Sequence, residues 1–267
     1  MPKHLSIIIT HHKTPELLYL CINSINKNVK NIKYEIIVVD GESNDSAQEI
    51  IKYKWPEVKF ISFKKNLGYS KIVNTGIKQV KGEYILVINA DIIVLKDSIL
   101  ELLKFMKKNP DVGITAPQLL DFTNNIQASC FTKPSLSTIL ARRTPLSKTE
   151  WGKKIINKFT ISDWDRKSIK EVDWVQGSAM MIRKEAIKKV GLWDERFFMY
   201  FEDADWCRRF WQNNYKVVYL PSAKMAHYYH RSSKKWGAFL DAILNKYART
   251  HIVSAIKYFW KYRHAKT

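Results

Sequence analysis

Cysteine is scarce in this chain of 267 residues: Cys21, Cys130 and Cys207 stand far apart, and no two have CxxC spacing. An odd, scattered set does not build a disulfide framework, and it fits buried thiols in a reducing, cytoplasmic setting. Long apolar runs are also missing, since no stretch approaches the roughly 18–20 residues of a membrane-spanning helix. Leu5–Thr10 is too short for the core of a signal peptide and lacks a small-residue cleavage site after it. Acid is in deficit, with 25 Asp and Glu against 45 Lys and Arg, a net charge of +20. That excess implies a polyanionic partner: nucleic acid, an anionic membrane surface or a phosphorylated substrate. No zinc-finger spacing, aromatic RNA-binding signature or helix-turn-helix pattern is present, which argues against nucleic acid. Nor does Thr10–Pro15 form the glycine-rich basic phosphate loop that a sugar-phosphate nucleotidyltransferase would need.

What is present is an alternation of strand and helix patterns. Leu5–Thr10, Tyr34–Asp40, Val58–Phe63 and Tyr84–Asn89 are short β-branched runs. Between them lie the amphipathic stretches Pro15–Asn26, Ser46–Tyr53 and Tyr69–Val80. This rhythm predicts an α/β fold, a mostly parallel Rossmann-like sheet flanked by helices. Thr14-Pro15-Glu16 supplies a helix start, with proline at the first helical position. A further helix is expected at Lys96–Lys108 and a strand at Val112–Leu120. Residues 121–170 lack periodicity and read as a loop-rich excursion over the site. Val172–Arg183 reads as a strand, Glu202–Asn213 as a helix, and Tyr215–Pro221 as the last strand. Residues 1–230 are expected to form one folded unit whose halves meet at about residue 120. Residues 231–267 form a basic, aromatic tail, helical over Lys234–Tyr262.

Four polar clusters can carry chemistry. Asp40 and Asp91 each follow a buried strand, at the edge where open α/β sheets bind ligands. Asp91 is a candidate for holding a divalent cation. Glu202, Asp203 and Asp205 follow the aromatic run Phe197–Phe201. Acids there complement a helix dipole, and beside an aromatic wall one of them can also be desolvated into a base. His227 follows the last strand and is a possible second metal ligand. Gathered on one sheet edge, these groups suit displacement of a nucleoside diphosphate: a hard cation neutralises the leaving group while a carboxylate takes the proton of the incoming hydroxyl.

In their order these motifs resemble family 2 glycosyltransferases of the GT-A fold, in the rhamnosyltransferase-like branch, over roughly residues 4–230. Val38–Asp45 resembles the family's V-V-D-x-x-S-x-D turn. Asn66-Leu67-Gly68-Tyr69 and Asn74-Thr75-Gly76-Ile77 resemble its N-L-G-x and N-x-G-I pair. Asn89-Ala90-Asp91 occupies the place of the D-x-D metal motif, with asparagine for the first acid. Trp174–Ala179 resembles the W-x-x-G-x-x segment beneath the acceptor, and Phe197–Arg208 the F-F-x-Y-x-E-D-x-D-x-x-x-R signature. The resemblance implies an inverting reaction with Mn²⁺ or Mg²⁺ at Asp91 and His227, an imidazole ligand favouring Mn²⁺. Asp203 would be the base, paired with Glu202. Thr10, Asp40, Ser43, Asn66, Asn74, Asn89 and Asp91 would line the nucleotide site, and Trp174, Gly177, Glu202 and Asp205 the acceptor site. His11-His12 departs from the Tyr-Asn that many relatives carry there. The sugar donor expected from the variant motif is dTDP-rhamnose or a UDP-sugar, and the acceptor a hydroxyl of a glycan or lipid-linked saccharide.

The tail adds a possible membrane partner. From Arg231 to Thr267 there are nine Lys or Arg against one Asp. Lys234, Lys235, Lys246, Arg249, Lys257, Lys261 and Arg263 alternate with Trp236, Phe239, Tyr247, Tyr258, Phe259 and Trp260. Such a helix either lies in an anionic bilayer interface, on the inner face of the cell membrane, or packs its apolar stripe on the catalytic unit.

Overall fold

The apolar runs of the amino-terminal half pair in parallel, as strands covered on both faces do. The computed structural model describes residues 4–42, 45–228 and 245–265. In it β1 (Leu5–His11), β2 (Tyr34–Asp40), β3 (Lys59–Ser62) and β4 (Tyr84–Asn89) lie in the order β3-β2-β1-β4, all parallel. Helices α1 (Pro15–Asn28), α2 (Asp45–Lys54) and α3 (Tyr69–Ile77) make the crossovers. Every residue of β1 is buried, which is why its middle, Ile7–Ile9, is continuously apolar instead of alternating.

Beyond β4 the sheet becomes mixed. Its further elements are β5 (Ile92–Val94), α4 (Ser98–Lys108) and β6 (Val112–Leu120), then β7 (Cys130–Phe131), α5 (Leu136–Arg143) and α6 (Glu150–Thr160). They continue with β8 (Lys170–Glu171), β9 (Trp174–Val175), β10 (Ala179–Arg183), α7 (Lys184–Val190), α8 (Glu202–Gln212), β11 (Lys216–His227) and α9 (Lys246–Lys261). The sheet runs on from β4 as β10-β6-β11-β5, with β8 beside β11. β10 is antiparallel to both its neighbours, β11 is parallel to β6, and β5 is antiparallel to β11. Two apolar layers cover the sheet, one around Leu18, Ile22 and Leu102, the other around Ile72, Trp206 and Phe210.

Three expectations change. The excursion at 121–170 holds α5, a 3₁₀ turn at Pro145–Lys148 and α6. Ser135 caps α5 by accepting from the Thr138 amide, and Thr149 caps α6 by accepting from that of Gly152. These short helices bury few apolar residues (Ala141 in one, Phe159 in the other), and their apolar stripes, Leu136 with Leu140 and Trp151 with Ile155 and Phe159, span only one or two turns. Val172–Arg183 is two strands: β9 leaves the main sheet to pair with β7, and β10 inserts between β4 and β6. The last strand passes Pro221 and ends at His227, its register shifting between Leu220 and Lys224 around the proline. Of the tail, α9 is seen, and the calls on Lys234, Lys235, Trp236 and Phe239 lie outside the described residues.

α9 packs one face on the body. Ala255 and Tyr258 are buried with Phe197, Phe201 and Ala204. Ser254 Oγ donates to the Met199 carbonyl at 2.8 Å and Lys257 Nζ to that of Arg196 at 2.7 Å. The opposite face is open, with Ile252, Val253, Ile256 and Trp260 exposed.

Candidate active site

At the ends of β1 and β2 the polar groups are occupied by one another. Asp40 is fully buried, its Oδ2 lying 3.0 Å from His11 Nδ1, while its Oδ1 accepts from the Glu42 amide. His11 Nε2 accepts from the Thr14 amide at 3.0 Å, so the ring proton sits on Nδ1 and points at Asp40. Thr10 Oγ1 donates to Asn89 Oδ1 at 2.9 Å, and Tyr69 Oη lies 2.9 Å from the same oxygen and 2.8 Å from the Gly177 carbonyl. Asn89 thus joins β1, β4, α3 and the segment before β10, a neutral task for which an acid at this place would not be needed. Asn66 Oδ1 accepts from the Gly68 amide. Gly68 has φ +93°, and a Cβ there would meet the Phe198 carbonyl at 2.6 Å, which is why the motif needs glycine. Asn74 is buried and bonds the Trp193 backbone in both directions, so it fastens α3 to the segment before α8. Ser43 lies outside the described residues.

Asp91 and His227 face each other. The register of β11 on β5 sets His227 opposite Ile92, and the Tyr228 amide donates to the Asp91 carbonyl at 3.0 Å. His227 Nε2 then stands 3.6 Å from Asp91 Oδ1. Gln127 Oε1 lies 2.9 Å from His227 Nδ1, and the Gln127 amide also donates to the His227 carbonyl. That contact turns Nε2 toward Asp91, as outer-shell partners orient metal-binding imidazoles. Asp91 Oδ1 is enclosed without a hydrogen-bond partner. Burial pushes the Asp91 carboxyl up to about 6 and His227 down to about 4. A neutral imidazole beside an unsatisfied carboxylate oxygen fits a divalent cation. Among the described residues no third His, Cys, Asp or Glu joins them. Such a two-ligand site suits a cation whose remaining positions are filled by substrate phosphate and water.

The third element is the start of α8. Tyr200 and Phe201 have φ of +71° and +67°, a conformation costly for aromatic residues and characteristic of functional turns. His251 packs against both rings, with centroids 5.2 Å away, so α9 holds the strained turn. The turn delivers Glu202 and Asp203, both buried, to the first turn of the helix. Asp203 accepts from the Gly177 amide at 2.9 Å and from its neighbour Ala204 at 2.8 Å. Burial raises its pKa, and these donors oppose the rise. Glu202 is pushed well above the ordinary carboxylate range by burial and by the Asp203 charge, and its Oε2 has no partner. Both acids are pushed toward their protonated forms, Glu202 further than Asp203, because Glu202 has the Asp203 charge beside it and Asp203 has the amide donors.

A cavity of about 670 Å³ gathers Asn89, Asp91, Trp174, Gly177, Glu202, Asp203 and His227. Thr10, Asp40, Asn66 and Asn74 stand outside it. Asp205, expected at the acceptor, is turned away: it is fully buried and bonded to Arg209, Lys261 and the Tyr262 hydroxyl. Its helix position, two residues beyond Asp203, points it to the tail side of α8. Tyr69, Gln127, Arg142, Arg143, Tyr247 and His251 also line the cavity and were not anticipated. Tyr69 stood inside a recognised motif, whereas the others come from elements whose placement only the folded chain reveals.

Comparison with known proteins agrees with this geometry. Residues 6–191 match the family described as glycosyl transferase family 2. The chain is 28% identical over 204 residues to the N-acetylglucosaminyl-diphospho-decaprenol L-rhamnosyltransferase of Mycobacterium tuberculosis, covering 72% of this chain and 66% of that relative. It is 25% identical over 266 residues to the rhamnosyltransferase WbbL of Escherichia coli, covering 96% of this chain and 93% of WbbL. The crystal structure of GalNAc-T7 with UDP, GalNAc and Mn²⁺ superimposes with a TM-score of 0.63 at 17% identity, over 86% of this chain and 44% of that one, a likeness of fold. The fold is GT-A, and the site is that of a sugar-transferring enzyme. The chain belongs to glycosyl transferase family 2, and rhamnosyltransferases are among the relatives it matches.

Proposed function

We propose that this enzyme transfers a hexose, with inversion, from a nucleoside-diphosphate sugar to a hydroxyl of a lipid-linked saccharide in cell-surface polysaccharide synthesis. The observation that carries the reading is the placement of Asp203, which accepts from two backbone amides, in one cavity with the Asp91–His227 pair. Asp203 accepts the proton of the acceptor hydroxyl as its oxygen attacks the anomeric carbon. The bond from that carbon to the diphosphate breaks on the opposite face, and the nucleoside diphosphate leaves with the electron pair. Mn²⁺ or Mg²⁺ held by Asp91, His227 and the sugar donor's diphosphate would neutralise the charge of the leaving group. Glu202, protonated, keeps a second charge away from Asp203, while Trp174 and Gly177 form the acceptor floor. Thr10, Asp40 and Asn66 shape the nucleotide end from behind.

The relatives' activity on rhamnose favours dTDP-rhamnose as the sugar donor, with UDP-sugars second. A nucleotide-sugar panel in the presence of Mn²⁺ tests this by thermal shift and by sugar release. Wild-type protein should respond to at least one sugar donor, and Asp91→Ala should lose the metal-dependent part of the shift. No response to any member of the panel would overturn the reading.

No helix among the described residues is long and apolar enough to cross a membrane. The exposed face of α9 instead sets Ile252, Val253, Ile256 and Trp260 among exposed Lys246, Arg249, Lys257 and Arg263. This supports attachment to the anionic inner surface of the cell membrane, at roughly 1 kcal/mol per basic residue. The full chain should float with anionic liposomes and not with neutral ones; failure to float at physiological salt removes this part of the proposal.

A further inference from the structure

The cavity lining carries both signs of charge: Asp91, Glu202 and Asp203, and also Arg142 and Arg143 from the last turn of α5. A neutral sugar hydroxyl and a metal-bound sugar donor account for the acids and give the two guanidiniums no role in the transfer. Arg142 stands 5.1 Å from the Phe159 ring, which stacks on Phe131 with centroids 5.0 Å apart. Two adjacent guanidiniums present planar forks that match phosphate oxygens, and the ring behind Arg142 restrains its swing. One and two turns back on α5, Leu140 and Leu136 are 49% and 68% exposed, on the same helix face as Arg143. Acids, adjacent cations and exposed leucines are the groups that a sugar, a diphosphate and a lipid chain would each need.

We propose that Arg142 and Arg143 bind the diphosphate of the acceptor, so that the enzyme selects a sugar carried on a lipid diphosphate over the same sugar on a neutral aglycone. The inference rests on the acceptor class proposed above, and its test needs no turnover. Calorimetric titration with farnesyl diphosphate measures the site directly, with UDP in Mn²⁺ as the parallel arm. Wild type should bind farnesyl diphosphate, Arg142→Gln/Arg143→Gln should bind it at least tenfold more weakly, and Arg142→Lys/Arg143→Lys should fall between. UDP affinity should be the same in all three. Equal farnesyl diphosphate affinity in wild type and the glutamine variant would overturn the proposal, as would no wild-type binding at millimolar concentration. A parallel loss of UDP affinity would also overturn it, because the arginines would then serve the sugar donor. The lysine variant, which keeps both charges, guards against misfolding of the other. Failure of the transfer reading would appear separately, as absence of sugar release from the nucleotide-sugar panel.

Discussion

On the cavity side of α8, Glu202 and Asp203 are 5% and 8% exposed; on the tail side of the same helical turn, Asp205 is 0% exposed. Burial does not separate them, but their partners do. Asp205 meets Arg209 at 2.9 Å, Lys261 and the Tyr262 hydroxyl, so the fold supplies cations for its charge. Asp203 receives two backbone amides and no cation among the described residues, and one Glu202 oxygen receives nothing. A carboxylate placed for proton transfer must remain able to take a proton, and a neighbouring guanidinium or ammonium would hold its pKa down. The absence of a cation marks the working acid more clearly than depth does.

Breaking the cavity side should have the largest effect. Asp203→Asn removes the base while keeping its shape, and transfer should fall about 10³-fold, or about 4 kcal/mol in the barrier. Nucleotide affinity should persist, and steady-state kinetics beside UDP titration separate the two; undiminished transfer would place the base elsewhere. Breaking the tail side should cost stability. Asp205→Ala takes the anion from Arg209, while Lys261 keeps Asp194 at 2.8 Å, and should lower unfolding free energy by about 2 kcal/mol, less than for a fully enclosed pair because both cations keep some water. Urea denaturation reads this, and an unchanged midpoint would remove Asp205 as the latch for α9.

The smallest change sharpens the contrast through pH. Glu202 has a folded pKa above its unfolded one, so the native state holds its proton more tightly. Wild-type stability should therefore fall as pH rises from the ordinary carboxylate range through the raised value. Glu202→Gln lacks that fall and should be more stable at pH 8 by about 1 kcal/mol or more, with the gap closing toward about pH 4. Melting curves across that range check it; parallel pH profiles would contradict an uncompensated Glu202.

Much of the sheet was legible because a buried parallel strand must be apolar at every position, as in Tyr84–Asn89, where a short run leaves no helical alternative. Asp91 was legible for the same reason, standing where the apolar run ends. His11 was not, since its role depends on β1 and β2 lying in register, Asp40 beside it. α5 and α6 escaped because their apolar stripes, Leu136 with Leu140 and Trp151 with Ile155 and Phe159, are only one or two turns long among polar residues. Asp205 was misplaced because spacing along the chain groups it with Glu202 and Asp203, whereas a helix rotates it to another face. Gln127 gives no local signal: its contact with His227 exists only once β11 has joined the sheet.

The insertion of β11 between β6 and β5, and of β10 between β4 and β6, sets a timetable for the growing polypeptide. As the chain leaves the ribosome, β4 presents an unpaired edge until the segment from Ala179 emerges, and β5 waits for the last strand. Open edges of this kind invite pairing with other chains, so the newborn amino-terminal half is an aggregation hazard that chaperones would have to shield. Because Asp91 meets His227 only once β11 has joined the sheet, a cation held by the two, as proposed, could reward only a chain in which that strand is already in place.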